Sequence, residues 1–176
     1  MNHNKKKYYS YLKSRRLSGI IYRYLFIYPF FLRFLGKDTL DYGCGIGDFL
    51  KFLIFFKKRN MGIDVNQHNI SECERRGLKV QKISKNFLSK LKKESYDTIV
   101  LDNVLEHILN PHHELSIVKR ILKENGLLIV GIPVGEAGYN SDSDHKVYYD
   151  EQSLDNLLNH YDFVKISYFF RPFKNN

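Results

Sequence analysis

Short apolar runs alternate with amphipathic stretches along most of the chain. The strand candidates are residues 38–42, 61–64, 78–83, 96–101, 127–132 and 163–170. Between them the 3.6-residue period predicts helices over 47–58, 67–76, about 86–93, 111–123 and 151–159. Several of the strands are nearly continuous apolar runs, as expected where helices cover both faces of a parallel sheet. Pro111 suits the first position of its helix, and Gly126 after Asn125 suits its end. The alternation predicts a doubly wound α/β fold with a mostly parallel, six-stranded sheet, and ligands at the carboxyl ends of the strands.

Composition narrows the setting. A chain of 176 residues is expected to form one α/β domain with a sizeable core. Two cysteines, Cys44 and Cys73, stand in unrelated sequence settings and support neither a disulfide framework nor a zinc cluster, so a reducing cytosol is the expected home. The N-terminus passes from lysines to tyrosines without the apolar core of a signal peptide.

The net charge of +9 is concentrated at one end. Residues 1–37 hold nine Lys or Arg (Lys5, Lys6, Lys7, Lys13, Arg15, Arg16, Arg23, Arg33, Lys37) and no carboxylate, leaving nineteen basic against nineteen acidic residues elsewhere. The chain therefore divides into a basic extension, residues 1–36, and a neutral domain, residues 37–176. The extension also carries Tyr22, Tyr24, Phe26, Tyr28, Phe30, Phe31 and Phe34. Its apolar stretch, residues 17–35, is broken by Arg23, Pro29 and Arg33. An arginine in mid-span costs roughly 2.5–3.5 kcal/mol on insertion scales, which argues against a spanning helix. Two readings remain: short helices covering the cleft and packing on the sheet, or helices that also touch an anionic bilayer at its inner face. Nucleic acid ranks lower, because the neutral remainder lacks a broad basic surface.

The chemistry centres on residues 39–50, TLDYGCGIGDFL, and residues 61–66, MGIDVN. An apolar strand enters three alternating glycines and then a helix, while the next strand ends in a lone carboxylate, Asp64. Glycines at such a bend permit positive φ and close approach to a ligand. The helix behind them would turn its free N–H groups toward the same place. A carboxylate about 20 residues on suits a grip on ribose hydroxyls. A dinucleotide fingerprint would need a third glycine where Asp48 stands, facing a pyrophosphate.

The run Asp41-x-Gly43-x-Gly45-x-Gly47 instead resembles motif I of the class I S-adenosylmethionine-dependent methyltransferases. Residues 96–108, YDTIVLDNVLEHI, are similar to that family's fourth-strand segment, with Asp97 opening it and Glu106-His107 following it. Residues 125–133, NGLLIVGIP, resemble its fifth-strand block. The resemblance covers roughly residues 37–170. It implies S-adenosyl-L-methionine as cofactor, held by Asp41, Gly43, Cys44, Gly45, Gly47, Asp64, Val65, Asp102 and Asn103, with Asp41 near the cofactor's ammonium. The chain departs from the pattern in two places. Residues 171–176 are too short and Pro-broken for the family's last antiparallel strand, which leaves an edge to be covered by the N-terminal segment or by a second subunit as a homodimer. No acidic residue follows the third strand to meet the adenine; only Ser84, Asn86 and Ser89 could hydrogen-bond there.

Methyl transfer needs alignment above all, and a base when the acceptor is a hydroxyl or a protonated amine. The base candidates are His145, in the polar segment 135–150 read as a functional loop, and His107 beyond the fourth strand. Ligation of a metal by His107, His112, His113 and His145 is conceivable, but no HExxH spacing exists and no metal is expected. The fourth-strand LDNV is not the Asn-Pro-Pro-Tyr type used for exocyclic base amines. A small-molecule or lipid-linked glycan acceptor, such as a surface-polysaccharide sugar, or a quinone follows as the expectation. The alternatives are an RNA methyltransferase using the basic arm, or a non-catalytic partner subunit keeping the fold.

Overall fold

The structure, a computed structural model, describes Ser10, residues 17–140 and residues 142–169. The basic positions 5–7, 13, 15 and 16, and Phe170, lie outside the described residues.

A continuous helical run opens the described chain: α1 (Leu17–Tyr22), a π turn (Arg23–Ile27) and α2 (Tyr28–Leu32). The Tyr28 N–H donates to the Arg23 carbonyl, five residues back. Pro29, next in line, has no N–H to continue an α-helical ladder, and the wide turn absorbs the gap. None of the helices among the described residues is long and apolar enough to cross a membrane.

Five strands follow: β1 (Asp38–Tyr42), β2 (Arg59–Asp64), β3 (Val80–Lys82), β4 (Tyr96–Asp102) and β5 (Leu122–Gly131). They alternate with α3 (Asp48–Phe55), α4 (Gln67–Arg75), α5 (Lys85–Lys90) and α6 (His112–Ile121); α7 (Gly135–Tyr139) and α8 (Glu151–Asn159) come last. All pairings are parallel, in the order β3-β2-β1-β4-β5. Strand order reverses between β1 and β4, which is where doubly wound sheets open their ligand crevice.

Side-chain alternation along the strands sorts two cores. Leu40, Tyr42, Ile99 and Leu101 face Leu88 of α5 and Leu115, Val118 and Ile121 of α6. Val100 faces the opposite layer, built from Ile27, Tyr28, Phe31, Leu35, Phe49, Phe52 and Leu53. Period two puts Asp41, the β1 partner of Val100, on that second face, beneath the N-terminal helices. Thr98 fastens this layer: its hydroxyl donates to the Phe34 carbonyl and accepts from the Gly36 N–H. Asp97 accepts from the Asp38 N–H and the Lys123 ammonium, which gives it a structural task at the base of the sheet.

Three expectations need correction. Residues 163–169 form no strand, so the described sheet has five strands rather than six. Their alternating pattern suits a strand but names no partner, and Val164 and Ile166 remain 83% and 75% exposed. The helix expected over 111–123 runs from His112 to Ile121, with Pro111 as its cap; Leu122 is already extended. β5 then begins irregularly, its register jumping from Tyr96↔Leu122 to Thr98↔Leu127 around Asn125, whose φ is 59°. The segment read as loop also contains the short helix α7.

Phe31 is buried between the sheet and α3, its ring 5.8 Å from that of Phe49. Phe31→Ala is therefore expected to lower unfolding free energy by about 3–5 kcal/mol. Phe55→Ala, at a ring 80% exposed, should change it by less than about 0.5 kcal/mol. Urea denaturation of the two variants checks whether the N-terminal helices are part of the cooperative fold.

Candidate active site

The loop after β1 is built by main-chain bonds that pull it against the tip of β2. The Gly43 and Cys44 N–H groups both donate to the Ile63 carbonyl, at 2.7 and 3.0 Å. Gly47 has φ 82°, and a Cβ there would lie 2.2 Å from Leu78 Cδ1, so only glycine fits. Asp64 closes the arrangement from beneath. One carboxylate oxygen accepts from the Gly45 N–H at 2.9 Å and the Asn69 amide at 3.2 Å; the other accepts from the Asn66 N–H at 2.7 Å. Arg76 braces the same loop, donating to the Ile46 carbonyl, Asp48 and Glu72. The cysteines, distant in sequence, join one small cluster with Leu50 and Leu78. Both are free, and contact with Cys73 together with burial pushes the Cys44 thiol up, so it stays protonated.

Across the switch point, β4 delivers Asp102 and Asn103. Asn103 takes φ 57° and donates from its N–H to the Gly131 carbonyl, and its side-chain amide donates to Asp102. Asp41, 5% exposed, ends up near two further carboxylates. Burial pushes its pKa up to about 8, with Asp102 and Asp64 adding to the shift and Arg23 opposing it. Arg23 enters from the π turn and pairs with Asp102 at 3.2 Å. Burial works against its charge, but Asp102 and Tyr28 outweigh it and the guanidinium is held more firmly protonated than usual. Sequence reasoning missed Arg23, reading it only as a break in an apolar run. A lone cation amid aromatics was the available signal.

The far end of the site joins two segments. The Glu106 carbonyl accepts from the Lys146 and Val147 N–H groups at 2.7 and 3.1 Å, which brings the 3₁₀ turn Leu105–His107 beside the loop holding His145. The His107 and His145 rings lie 4.9 Å apart, and Tyr139 packs against His145 and Tyr148. His107 Nδ1 meets the Asp144 carbonyl at 3.3 Å, and His145 Nδ1 meets the Tyr139 carbonyl. Burial, with neighbouring His145, lowers the pKa of His107 despite the Asp144 carbonyl, which favours its neutral form. His112 is committed elsewhere, to the Tyr161 hydroxyl at 2.7 Å.

One open cleft of about 1830 Å³ runs over these residues. It exceeds the usual small-ligand range because it continues down the uncovered face of β5. Asp41, Gly43, Cys44, Gly45, Asp102, Asn103, His107 and His145 line it, as does Arg23. Gly47 and Asp64 shape the loop without lining the cleft, whereas Val65, expected at the cofactor, is 53% exposed and is not among the lining residues. Ser84, Asn86 and Ser89 do not reach it; Ser84 caps α5, and Ser89 donates to the Asn86 carbonyl.

A family model described as a methyltransferase domain matches residues 13–168. The chain belongs to the class I S-adenosylmethionine-dependent methyltransferases. A ubiquinone biosynthesis O-methyltransferase of Glaesserella parasuis is 33% identical over 107 residues, 54% of this chain and 44% of that protein. An uncharacterized Methanocaldococcus jannaschii protein is 35% identical over 94 residues, 53% of this chain and 43% of its own length. The chain thus spans less than half the length of these relatives. Among solved structures, a Thermotoga maritima methyltransferase described as a possible histamine N-methyltransferase superposes with a TM-score of 0.72 at 20% identity. That match covers 94% of this chain and 82% of the other. An Archaeoglobus fulgidus methyltransferase gives 0.67 at 21% identity, covering 85% and 75%. These two likenesses establish the fold.

The family's cofactor carries an ammonium, a carboxylate, a sulfonium and ribose hydroxyls, and the residues present suit it. A buried carboxylate, a guanidinium and a glycine cradle without room for side chains converge on one crevice. Asp41 supplies a test in the cofactor-free methyltransferase. Its folded pKa of about 8 lies above the ordinary value of 3.8, so the folded state holds a proton the unfolded chain releases. Stability from this group is present below pH 4 and declines as pH rises toward 8. Asp41→Asn should therefore raise the melting temperature by a few degrees at pH 8 and by less at pH 5, measured by calorimetry across that range.

Proposed function

We propose that this methyltransferase transfers a methyl group to a hydroxyl of a small ring-bearing acceptor, a sugar of a lipid-linked surface glycan or a quinone. The observation that carries the reading is the pair of imidazoles, 4.9 Å apart, lining the same cleft as Asp41 and Tyr148. The Tyr148 ring in the cleft suits an acceptor ring, and a hydroxyl acceptor is the kind that needs a base. The match to the ubiquinone biosynthesis O-methyltransferase supports the oxygen acceptor.

When bound, S-adenosylmethionine supplies an electrophilic methyl group. In this reading Asp41 attracts its ammonium, Arg23 receives its carboxylate, and Asp64 stands where the ribose hydroxyls approach Gly45. Asp102 and Asn103 close the β4 side. His145 is the proposed base. Its Nδ1 is taken up by the Tyr139 carbonyl, which would leave Nε2 to accept the proton of an acceptor hydroxyl; the bound cofactor would supply the methyl group and leave as the neutral thioether. His107 stands beside it as the second candidate, its neutral form favoured by burial. Holding donor and acceptor in line accounts for most of the expected acceleration, up to about 7–11 kcal/mol.

The basic extension, residues 1–36, is read as a cover for the cleft that also touches an anionic bilayer. Support comes from Leu17, Ile21 and Leu25, all exposed and spaced four apart, with exposed Phe26 alongside. A second copy of the chain at the β5 edge is a further proposed partner, supported by the exposed Val164, Ile166 and Tyr168.

Titration of S-adenosylmethionine into the wild type is expected to give saturable binding, weakened at least tenfold in Asp64→Ala and in Arg23→Gln. With quinol and lipid-linked sugar acceptors, His145→Ala should lose about 10²–10⁴-fold in kcat while retaining cofactor affinity. A folded wild type that binds no cofactor would sink the reading. For the extension, paired Leu25→Ser and Phe26→Ser substitutions should reduce co-sedimentation with anionic vesicles without lowering the melting temperature. Deleting the helices would not serve, since Ile27, Tyr28, Phe31 and Leu35 belong to the core.

A further inference from the structure

We propose that Glu106, His107 and His145 form a binding site for a first-row divalent cation, zinc by donor set, at the acceptor end of the cleft. One potential ligand atom from each residue lies within 4.8 Å of the other two. A zinc ion sits about 2.0–2.2 Å from nitrogen and carboxylate donors, so side-chain rotation of roughly an ångström closes the triangle on an ion. Two imidazoles and one carboxylate suit zinc and its first-row neighbours better than magnesium or calcium, which prefer all-oxygen surroundings.

Three features make this more than a chance cluster. Each imidazole engages a backbone carbonyl through Nδ1, His107 with Asp144 and His145 with Tyr139. That is the kind of outer-shell bond that orients a ligating histidine and fixes its tautomer. The two segments carrying the ligands are also tied together by the main-chain bonds from Lys146 and Val147 to Glu106, so the site is assembled before any ion arrives. Finally, the three ligands differ in position. Glu106 is 1% exposed, where a carboxylate attracts a cation more strongly than in water, while His107 and His145 line the cleft. A fourth coordination position would therefore open toward the acceptor, the arrangement of catalytic rather than structural zinc. Asp142 and Asp144, which also line the cleft, favour approach of a cation.

An ion there would hold an acceptor oxygen and ease loss of its proton. With the ion bound, the two imidazoles serve as ligands, and the acceptor's proton leaves to solvent rather than to His145. That use rests on the methyltransferase reading; the affinity for metal does not.

The test uses the full chain without cofactor. Zinc chloride titrated by calorimetry is expected to bind one ion per chain with micromolar or tighter affinity. Cobalt(II) in its place should give the intense visible absorption of a four-coordinate nitrogen–oxygen site. His145→Ala, a loop substitution with melting temperature as control, should weaken zinc binding at least a hundredfold and abolish the cobalt spectrum, as should His107→Ala. His113→Ala, at an exposed histidine outside the cluster, should leave both unchanged. Absence of saturable binding in the wild type, or equal binding in His145→Ala, would overturn the site. Because S-adenosylmethionine is titrated separately, loss of the metal site and loss of the cofactor reading give different results.

Discussion

Three neighbouring parallel strands carry a carboxylate at or next to their last residue, Asp41 on β1, Asp64 on β2 and Asp102 on β4. Like charges this close, and this poorly exposed, repel one another. The rest of the site can be understood as the answer to that constraint. Asp64 is answered by backbone N–H groups, from Gly45 and Asn66, which bends the glycine loop over the strand tips. Asp102 is answered by Arg23, drawn in from a helix 79 residues away in sequence. Asp41 meets mainly burial and its neighbours' charges, which push its carboxyl up to about 8. That leaves an unspent preference for an incoming cation, and the family's cofactor brings one.

The N-terminal helices thereby acquire a double task. Their aromatic side closes the second face of the sheet, where Tyr28 packs on Phe49 and Phe52, at ring distances of 5.0 and 5.4 Å. Their π turn delivers Arg23 to the strand ends. The π turn just before Pro29 thus holds one cation in the cleft, against Asp102. At the acceptor end, the chain relies on a different device. Two backbone bonds to the Glu106 carbonyl gather two histidines 38 positions apart.

The open side of the molecule lies at β5. No strand among the described residues pairs with its outer edge, and α8 has no fully buried residue. The segment after α8 retains a strand's alternation without a strand's partner. Edges of this kind invite addition of another chain, and the side chains at 164, 166 and 168 leave apolar surface exposed.

Much was legible from local pattern. The period of apolar residues located all five strands, β1 to the residue, and every helix from α3 to α6 together with α8, because burial on one or two faces imposes that period directly. The glycine spacing and the carboxylate after β2 were equally plain, since a tight bend with positive φ restricts residue type on its own. The end of α6, the bulge around Asn125 and helix α7 were blurred, as they hinge on single dihedrals and short-range bonds with weak sequence signals. Pairing was beyond reach: a period of two tells which face a residue occupies but not which edge it meets, and residues 163–169 took the strand pattern without the strand. The tertiary structure alone decided that Cys44 and Cys73 share one cluster, that Asp64 grips the glycine loop from below, that Arg23 joins Asp102, and that Glu106, His107 and His145 converge. Each is a contact between segments distant in sequence, fixed by how the layers close rather than by anything within the segments themselves.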